Sequence, residues 1–331
     1  PRAQGWTRKL KLFIPGQEGC IVNVIGGGAP RLLLGDDVVY QLPNPSAKRR
    51  AATYRHFLAD KGVTEEALMF DEVQGGLSLP LANLIHERMT HAAALVGDSV
   101  AVPTLLARGH LSIPRWDGAF LVYSEALNYR PRHYLRPEHI HQKFNGKRGL
   151  EIFLAGVRNL FQILRQINKH EDGMFHMDLV HRLQGGSANV GFTPDGKAVI
   201  KGWGRRITEQ IGEWPSSDRR TYQLREVIGA LAGLLQDVSI SGIRGEQRHR
   251  LLVDIVWTGL GEYTDRYGKI DRVSLASGFP SNADRFVKST RTFLSEGDSS
   301  DDLLASLLYQ ESRQLENGVK HWLIECVTHY V

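Results

Sequence analysis

Cysteine is nearly absent: Cys20 and Cys326 are the two in 331 residues, far apart along the chain. Two such distant thiols make neither a disulfide framework nor a C-x-x-C metal pair, and they point to a reducing, cytoplasmic setting. No apolar run approaches the ~20 residues of a membrane-spanning helix. The stretch PRAQGWTRKLKLF is basic without an apolar core, so no secretory leader is expected in it. A large excess of one charge is missing too, since 41 Lys and Arg against 36 Asp and Glu leave +5. The densest basic patch, Lys48, Arg49 and Arg50 followed by Arg55, reads as the wet face of a helix. Nucleic acid is therefore the least expected partner, and such binding would have to weaken steeply with salt. Repeats and low-complexity segments are absent.

What is present is 42% apolar residues, enough for a large core divided between two lobes. CIVNVI reads as a strand, GGGAP as a turn, and RLLLGDDVVYQLP as a hairpin turning at Gly35, Asp36 and Asp37. Ser46 caps an expected helix over 46–58, where Ala47, Ala51, Tyr54 and Leu58 recur at helical steps. LPLANLIHERMTHAAAL is a second helix. VAVPTLLARG and GAFLVYSEAL follow as strands, with a turn expected at Trp116, Asp117 and Gly118. Residues 128–148, rich in Arg, His, Tyr and Pro without a period, read as a connector. A long amphipathic helix, GLEIFLAGVRNLFQILRQINKH, comes next, then a strand pair around Pro194, Asp195 and Gly196. From Trp214 and Pro215 onward the chain reads helical: LREVIGALAGLLQDV, RLLVDIVWTGLGEYTDRY and LLASLLYQESRQLENGVKHWLIECVTHYV, with GDSSDD as a solvated loop. Strands first and helices later make an α+β protein: an N-lobe over 1–127, the connector over 128–148 and a helical C-lobe over 149–331.

The stretch HMDLVHRLQGGSANVGFTPDGKAVIKGWG carries the chemistry. It holds His-x-Asp-Leu, then Asn, then a strand pair closed at Asp-Gly, then Gly-Trp-Gly. With the Val102–Pro103 strand start and the LVYSE strand, it resembles the protein-kinase-like fold, most closely its aminoglycoside phosphotransferase branch. The resemblance covers about residues 20–235. It implies a bilobal architecture, with a small β-rich N-lobe and a larger helical C-lobe, and a site for ATP and Mg²⁺. Phosphoryl transfer depends mainly on positioning and charge neutralisation. The resemblance makes Asp178 the catalytic base, His176 a residue packing its loop, and Asn189 a metal ligand. It makes Gly26, Gly27 and Gly28 a phosphate-covering loop, Gln41 the occupant of the strand-three lysine position, and Glu87 the helix acid that pairs with that lysine. Glu226 matches a C-lobe helix acid that braces the catalytic loop, and Trp203 is expected to pack inside.

Three departures bear on function. Asn189 stands 11 residues after Asp178, where the kinase spacing is about five. Alternatively the loop starts at His181 and Arg182, and then Leu183 replaces the base. At the metal-binding Asp, the alignment puts either Gly202 or Lys201, and neither ligates Mg²⁺ as a carboxylate does. Lys201 instead brings its own charge toward a phosphate. Gln41 is neutral where a cation is needed. Losing both a cation and a metal ligand costs on the order of several kcal/mol of transition-state stabilisation.

The resulting expectation is a pseudokinase that binds a peptide or protein partner, or acts as a regulatory one, with ATP and Mg²⁺ doubtful cofactors. The competing expectation is an atypical active phosphotransferase on a small molecule or on Ser/Thr of a peptide, with Asp178 as base. His176, Asp178 and His181 also share a metal-ligand spacing, but no further matched cluster supports a metallohydrolase.

Overall fold

The computed structural model describes residues 7–10, 20–25, 77–97, 100–113, 116–136, 146–169, 187, 189–201, 203, 219–239, 241–280, 286–288, 312 and 314–331. The expected glycine turn at 26–28, the hairpin at 35–37, the helix over 46–58 with its basic patch, and the loop at 297–302 lie outside them. The protein is α+β, and its contacts divide it into two compact units. One contains Pro1–Thr90 and Pro103–Leu127, the other His91–Val102 and Asn128–Val331.

The first unit is an antiparallel sheet with a helix. Its strands are β1 (Thr7–Leu10), β2 (Cys20–Ile25), β3 (Leu77–Ser78), β4 (Thr104–Ile113) and β5 (Trp116–Ala126). β5 is the centre: β2 and β3 pair with it, β4 pairs with it, and β1 pairs with β2. Burial on β5 alternates with a period of two. Ala119, Leu121, Tyr123 and Glu125 are buried while the residues between them are half-buried, as a pleated strand over a core requires. On β2 both Val22 and Asn23 are buried, so this strand is covered on each face. Asn23 lies opposite Tyr123, and among the described residues neither its amide oxygen nor its amide nitrogen has a hydrogen-bond partner.

In this first unit two boundaries differ from the sequence reading. Pairing of β4 with β5 continues to Ile113 opposite Trp116, with Ser112 opposite Asp117 and Leu111 opposite Gly118. Residues 116–118 are therefore strand, not turn; the cross-strand partners outweigh the local turn preference of Asp-Gly. Residues 100–103 precede the strand instead of opening it.

Helix α1 (Leu79–Val96) straddles the division at Thr90. Ala82, Ile85, Met89 and Ala92 recur at three- and four-residue steps and form its buried stripe. Arg88 is on the buried side too, while Glu87 is exposed.

The second unit is mostly helical. Its elements are α2 (Pro131–Tyr134), α3 (Gly146–Lys169), β6 (Val190–Phe192), β7 (Ala198–Ile200), α4 (Arg219–Ser239), α5 (Gly245–Thr264), α6 (Arg272–Gly278) and α7 (Asn317–Tyr330). The core lies where α3, α4 and α5 meet. Phe153, Leu160, Phe161, Leu164 and Ile167 of α3 are fully buried, as are Ile255, Val256 and Leu260 of α5. Each such side chain contributes roughly 1.5–3 kcal/mol. Every residue of α4 from 224 to 238 is buried, including Arg225, Glu226, Gln236 and Asp237. The C-terminal helix starts at Asn317, because the residues before it are tied into a bridge between Val287 and Leu315. Lys288 N–H donates to Gln314 O and Glu316 N–H to Phe286 O.

A turn closes the hairpin of β6 and β7 where the sequence places it. Gly196 has φ +80°, a conformation that favours glycine, and its N–H donates to Thr193 O at 2.9 Å. Gly196→Ala is expected to cost roughly 1–2 kcal/mol through its left-handed backbone alone, and the clash of its Cβ, 2.6 Å from the Ala155 methyl, adds to that. A urea midpoint unchanged from the wild type would contradict that strain.

Candidate functional site

The hairpin of β6 and β7 is the frame of the site. All six of its strand residues are buried, so its apolar runs VGF and AVI are packed from both faces. Its neighbours fix it through main-chain bonds. Ala198 N–H donates to Asn159 Oδ1 of α3 at 2.8 Å. Tyr129 and Phe192 exchange N–H···O bonds of 2.8 Å each, and Tyr134 Oη donates to Phe192 O at 2.8 Å. The segment at 128–134 thus packs onto β6. Desolvation pushes the Tyr134 phenol well above its ordinary range, with Tyr129 and Asp195 adding to the effect. Gly191 is where this packing is closest, because a Cβ there would overlap the Asn128 side chain.

The open end of the hairpin brings two of the expected site residues together. Asn189 immediately precedes β6 and Lys201 immediately follows β7. Lys201 N–H donates to Asn189 O at 2.8 Å. Both side chains are half-buried. Ile200 N–H donates to Ala101 O at 2.8 Å, which anchors the same end to the residues before β4. Trp203 packs inside, as expected: it is 4% exposed, and its indole N–H donates to Ile200 O at 2.9 Å.

Beneath this end lies Asp237 of α4, which is fully buried. It accepts a hydrogen bond from Ser187 N–H at 3.3 Å and another from Ser187 Oγ–H. Ser187 O in turn accepts from Val190 N–H at 3.2 Å, so one carboxylate steadies the entry to β6. Burial pushes the Asp237 carboxyl up to about 6, against the opposing pull of the Ser187 bonds and of Arg132 and Arg130. Arg130 is held below its ordinary value, by burial first and then by Arg132, while Asp237 works the other way. The sequence reading singled out Glu226 for a bracing role. Glu226 is buried in the same helix about three turns earlier, and the loop it was expected to brace lies outside the described residues; Asp237 is the acid of this helix that bonds to Ser187. The signal was present in the sequence: Ala230, Leu234 and Asp237 follow at steps of four and three, so a carboxylate sits on an apolar helical face.

The other expected residues stand apart from this group. Glu87 is exposed on α1, in the first unit, and among the described residues no cation pairs with it. Asp178, His176, Gly26, Gly27, Gly28 and Gln41 lie outside the described residues. So do Gly202, His181 and Arg182. The two residues whose backbones pair at the mouth of the hairpin carry an amide and an ammonium. Of that pair only the Asn189 amide oxygen suits a divalent cation, which takes carboxylate and carbonyl oxygens; the lysine ammonium does not. Among the described residues no three His, Cys, Asp or Glu side chains cluster to hold a metal, and no helix is long and apolar enough to cross a membrane. No protein-family model matches the chain, and no curated protein matches it.

Proposed function

We propose that this chain is a bilobal kinase-fold protein with a degraded phosphate and metal site. On this reading it is a pseudokinase that serves as a peptide- or protein-binding or regulatory partner in the cytoplasm. The observation that carries the reading is the pairing of Asn189 with Lys201. Where a phosphate-transferring site needs a carboxylate, the resemblance puts either Gly202 or Lys201, and Lys201, whose backbone pairs with the candidate metal ligand, is a cation. A lysine ammonium there repels a divalent ion and cannot replace its bridging of two phosphate groups. The orientation of α1 supports the same reading. The resemblance asks the helix for an inward acid, whereas Glu87 is exposed and the buried charge next to it is Arg88. The acid that should draw a lysine into a phosphate site therefore faces solvent.

Thermal denaturation with ATP alone, with ATP and Mg²⁺, and with ATP and Mn²⁺ tests this. A ligand at a hundred times its Kd stabilises by about 2.7 kcal/mol, which a melting curve resolves easily. The expected result is little stabilisation, or stabilisation that does not depend on the metal. Metal-dependent stabilisation, together with phosphate transfer that Asp178→Asn abolishes, would replace this reading with an active atypical phosphotransferase.

A further inference from the structure

Helix α7 begins on an asparagine followed by a glycine. Asn317 is its first residue and Gly318 its second, and both are exposed. The strand-like segment before the helix brings a cation to them. Val287 and Leu315 form a bridge, Lys288 N–H donates to Gln314 O at 2.9 Å, and Glu316 N–H donates to Phe286 O at 3.0 Å. Held in this register, Lys288 is buried, and its Nζ donates to Asn317 Oδ1 at 3.0 Å.

Three features of this helix start favour attack by the Gly318 nitrogen on the Asn317 side chain. Glycine has no Cβ to shield its own nitrogen. The Gly318 N–H is among the first donors of the helix, to which the helix itself supplies no acceptor; the first intrahelical bond runs from Lys320 N–H to Glu316 O at 2.9 Å, and the Glu316 side chain makes no cap bond. A continuing helix would hold that nitrogen away from Asn317 Cγ, but Glu316 is extended, at φ −62° and ψ 149°, so a turn about the Asn317 ψ bond disturbs the first helical turn alone.

We propose that Asn317 is a self-modifying site: the Gly318 nitrogen displaces ammonia from the Asn317 amide, and the carboxylate that results is held by Lys288 at the N-terminus of α7. The proposal does not depend on the pseudokinase reading. Gly318 N gives up its proton to solvent and bonds to Asn317 Cγ, and the carbonyl electron pair moves onto Oδ1. There the Lys288 ammonium meets a growing negative charge, which it stabilises more than the neutral carbonyl it started from. Collapse expels the side-chain nitrogen, which takes a proton and leaves as ammonia, and a cyclic imide remains. Water adds to one of the two imide carbonyls and opens the ring, giving aspartate or its isomer linked through the side chain. One water is consumed and one ammonia released. The aspartate product turns the bond from Lys288 into a charge-assisted one and places an anion where the helix dipole favours it. The isomer lengthens the main chain at the helix start and loosens it.

Ageing the full chain at neutral pH, followed by peptide mapping with mass spectrometry, tests the site. Mapping reads position 317 separately from Asn145, which also precedes a glycine and lies outside the described residues. The folded wild type is expected to accumulate both acidic products at 317. Lys288→Met should slow this by about tenfold, the worth of one hydrogen bond to a charged group, and Lys288→Arg should restore most of it. An asparagine that survives in the folded chain while the same chain in urea converts would overturn the proposal, as would a Lys288→Met chain that converts as fast as wild type. Should Lys288→Met not fold, Asn317→Asp decides. It is expected to melt above wild type at neutral pH and to lose that gain in acid, since a carboxylate paired only in the folded state stabilises above its unfolded titration and not below it. A lower melting temperature at neutral pH would overturn the seat assigned to the product.

Discussion

Replacing Phe192 with alanine should lower the unfolding free energy of the second unit by about 3–5 kcal/mol, the range for truncating a buried aromatic. The side chain is fully buried and meets Phe153 edge-to-face, with ring centroids 5.8 Å apart and planes at 71°. Such a pair adds roughly 0.5–1.5 kcal/mol beyond its buried area. Nothing nearby can collapse into the space cheaply. α3 passes the ring at Gly156, where an added Cβ would overlap it, so the helix has no side chain there to lean in. The backbone of residue 192 is also held, by the paired bonds to Tyr129 and the Tyr134 hydroxyl. A fixed strand above a rigid helix leaves a cavity in place of a collapsed core. Chemical denaturation followed by circular dichroism measures the loss. A change below about 1 kcal/mol would mean that the ring is not where the core is.

The second large effect has the opposite sign. Asn23→Val should stabilise the protein by at least about 2 kcal/mol. Asn23 is fully buried in the middle of β2, and among the described residues both ends of its amide lack a hydrogen-bond partner. Each unsatisfied buried group costs roughly 1–3 kcal/mol, because water bonded to it in the unfolded chain and nothing replaces that water. Valine has a similar bulk, suits a strand between two others, and brings no polar atom. Its branch would pack beside Tyr123, which lies directly across the pair. Differential scanning calorimetry reads the change. A neutral or lowered melting temperature would show that the amide is satisfied in solution, by an ordered water or by a bound group.

The sequence exposed most of the frame, for identifiable reasons. CIVNVI, the α1 stripe, the α3 amphipathic run and the hairpin around Pro194, Asp195 and Gly196 each follow one period closed by a strong punctuator, and each is present. The errors fall where local preference competes with pairing. Asp117 and Gly118 look like a turn until β4 supplies partners across from them. The site was less legible. The adjacency of Asn189 and Lys201 follows from the hairpin register, which the turn between them discloses. The outward face of Glu87 and the inward face of Arg88 differ by one helical step, about 100° of rotation, and adjacent charges do not reveal which is turned inward. For Asp237 the burial was legible but the partner was not. Its partner Ser187 is 50 residues away in the chain, and no local pattern reports a bond of that separation.

Helix α4 carries one more consequence. A rod buried continuously from 224 to 238 cannot peel away there by itself: loosening that stretch uncovers the sides of α3, α5 and α7 as well. The C-terminal body should therefore come apart in a single step, and a protease should find no cut within 224–238 until everything around that helix has already let go.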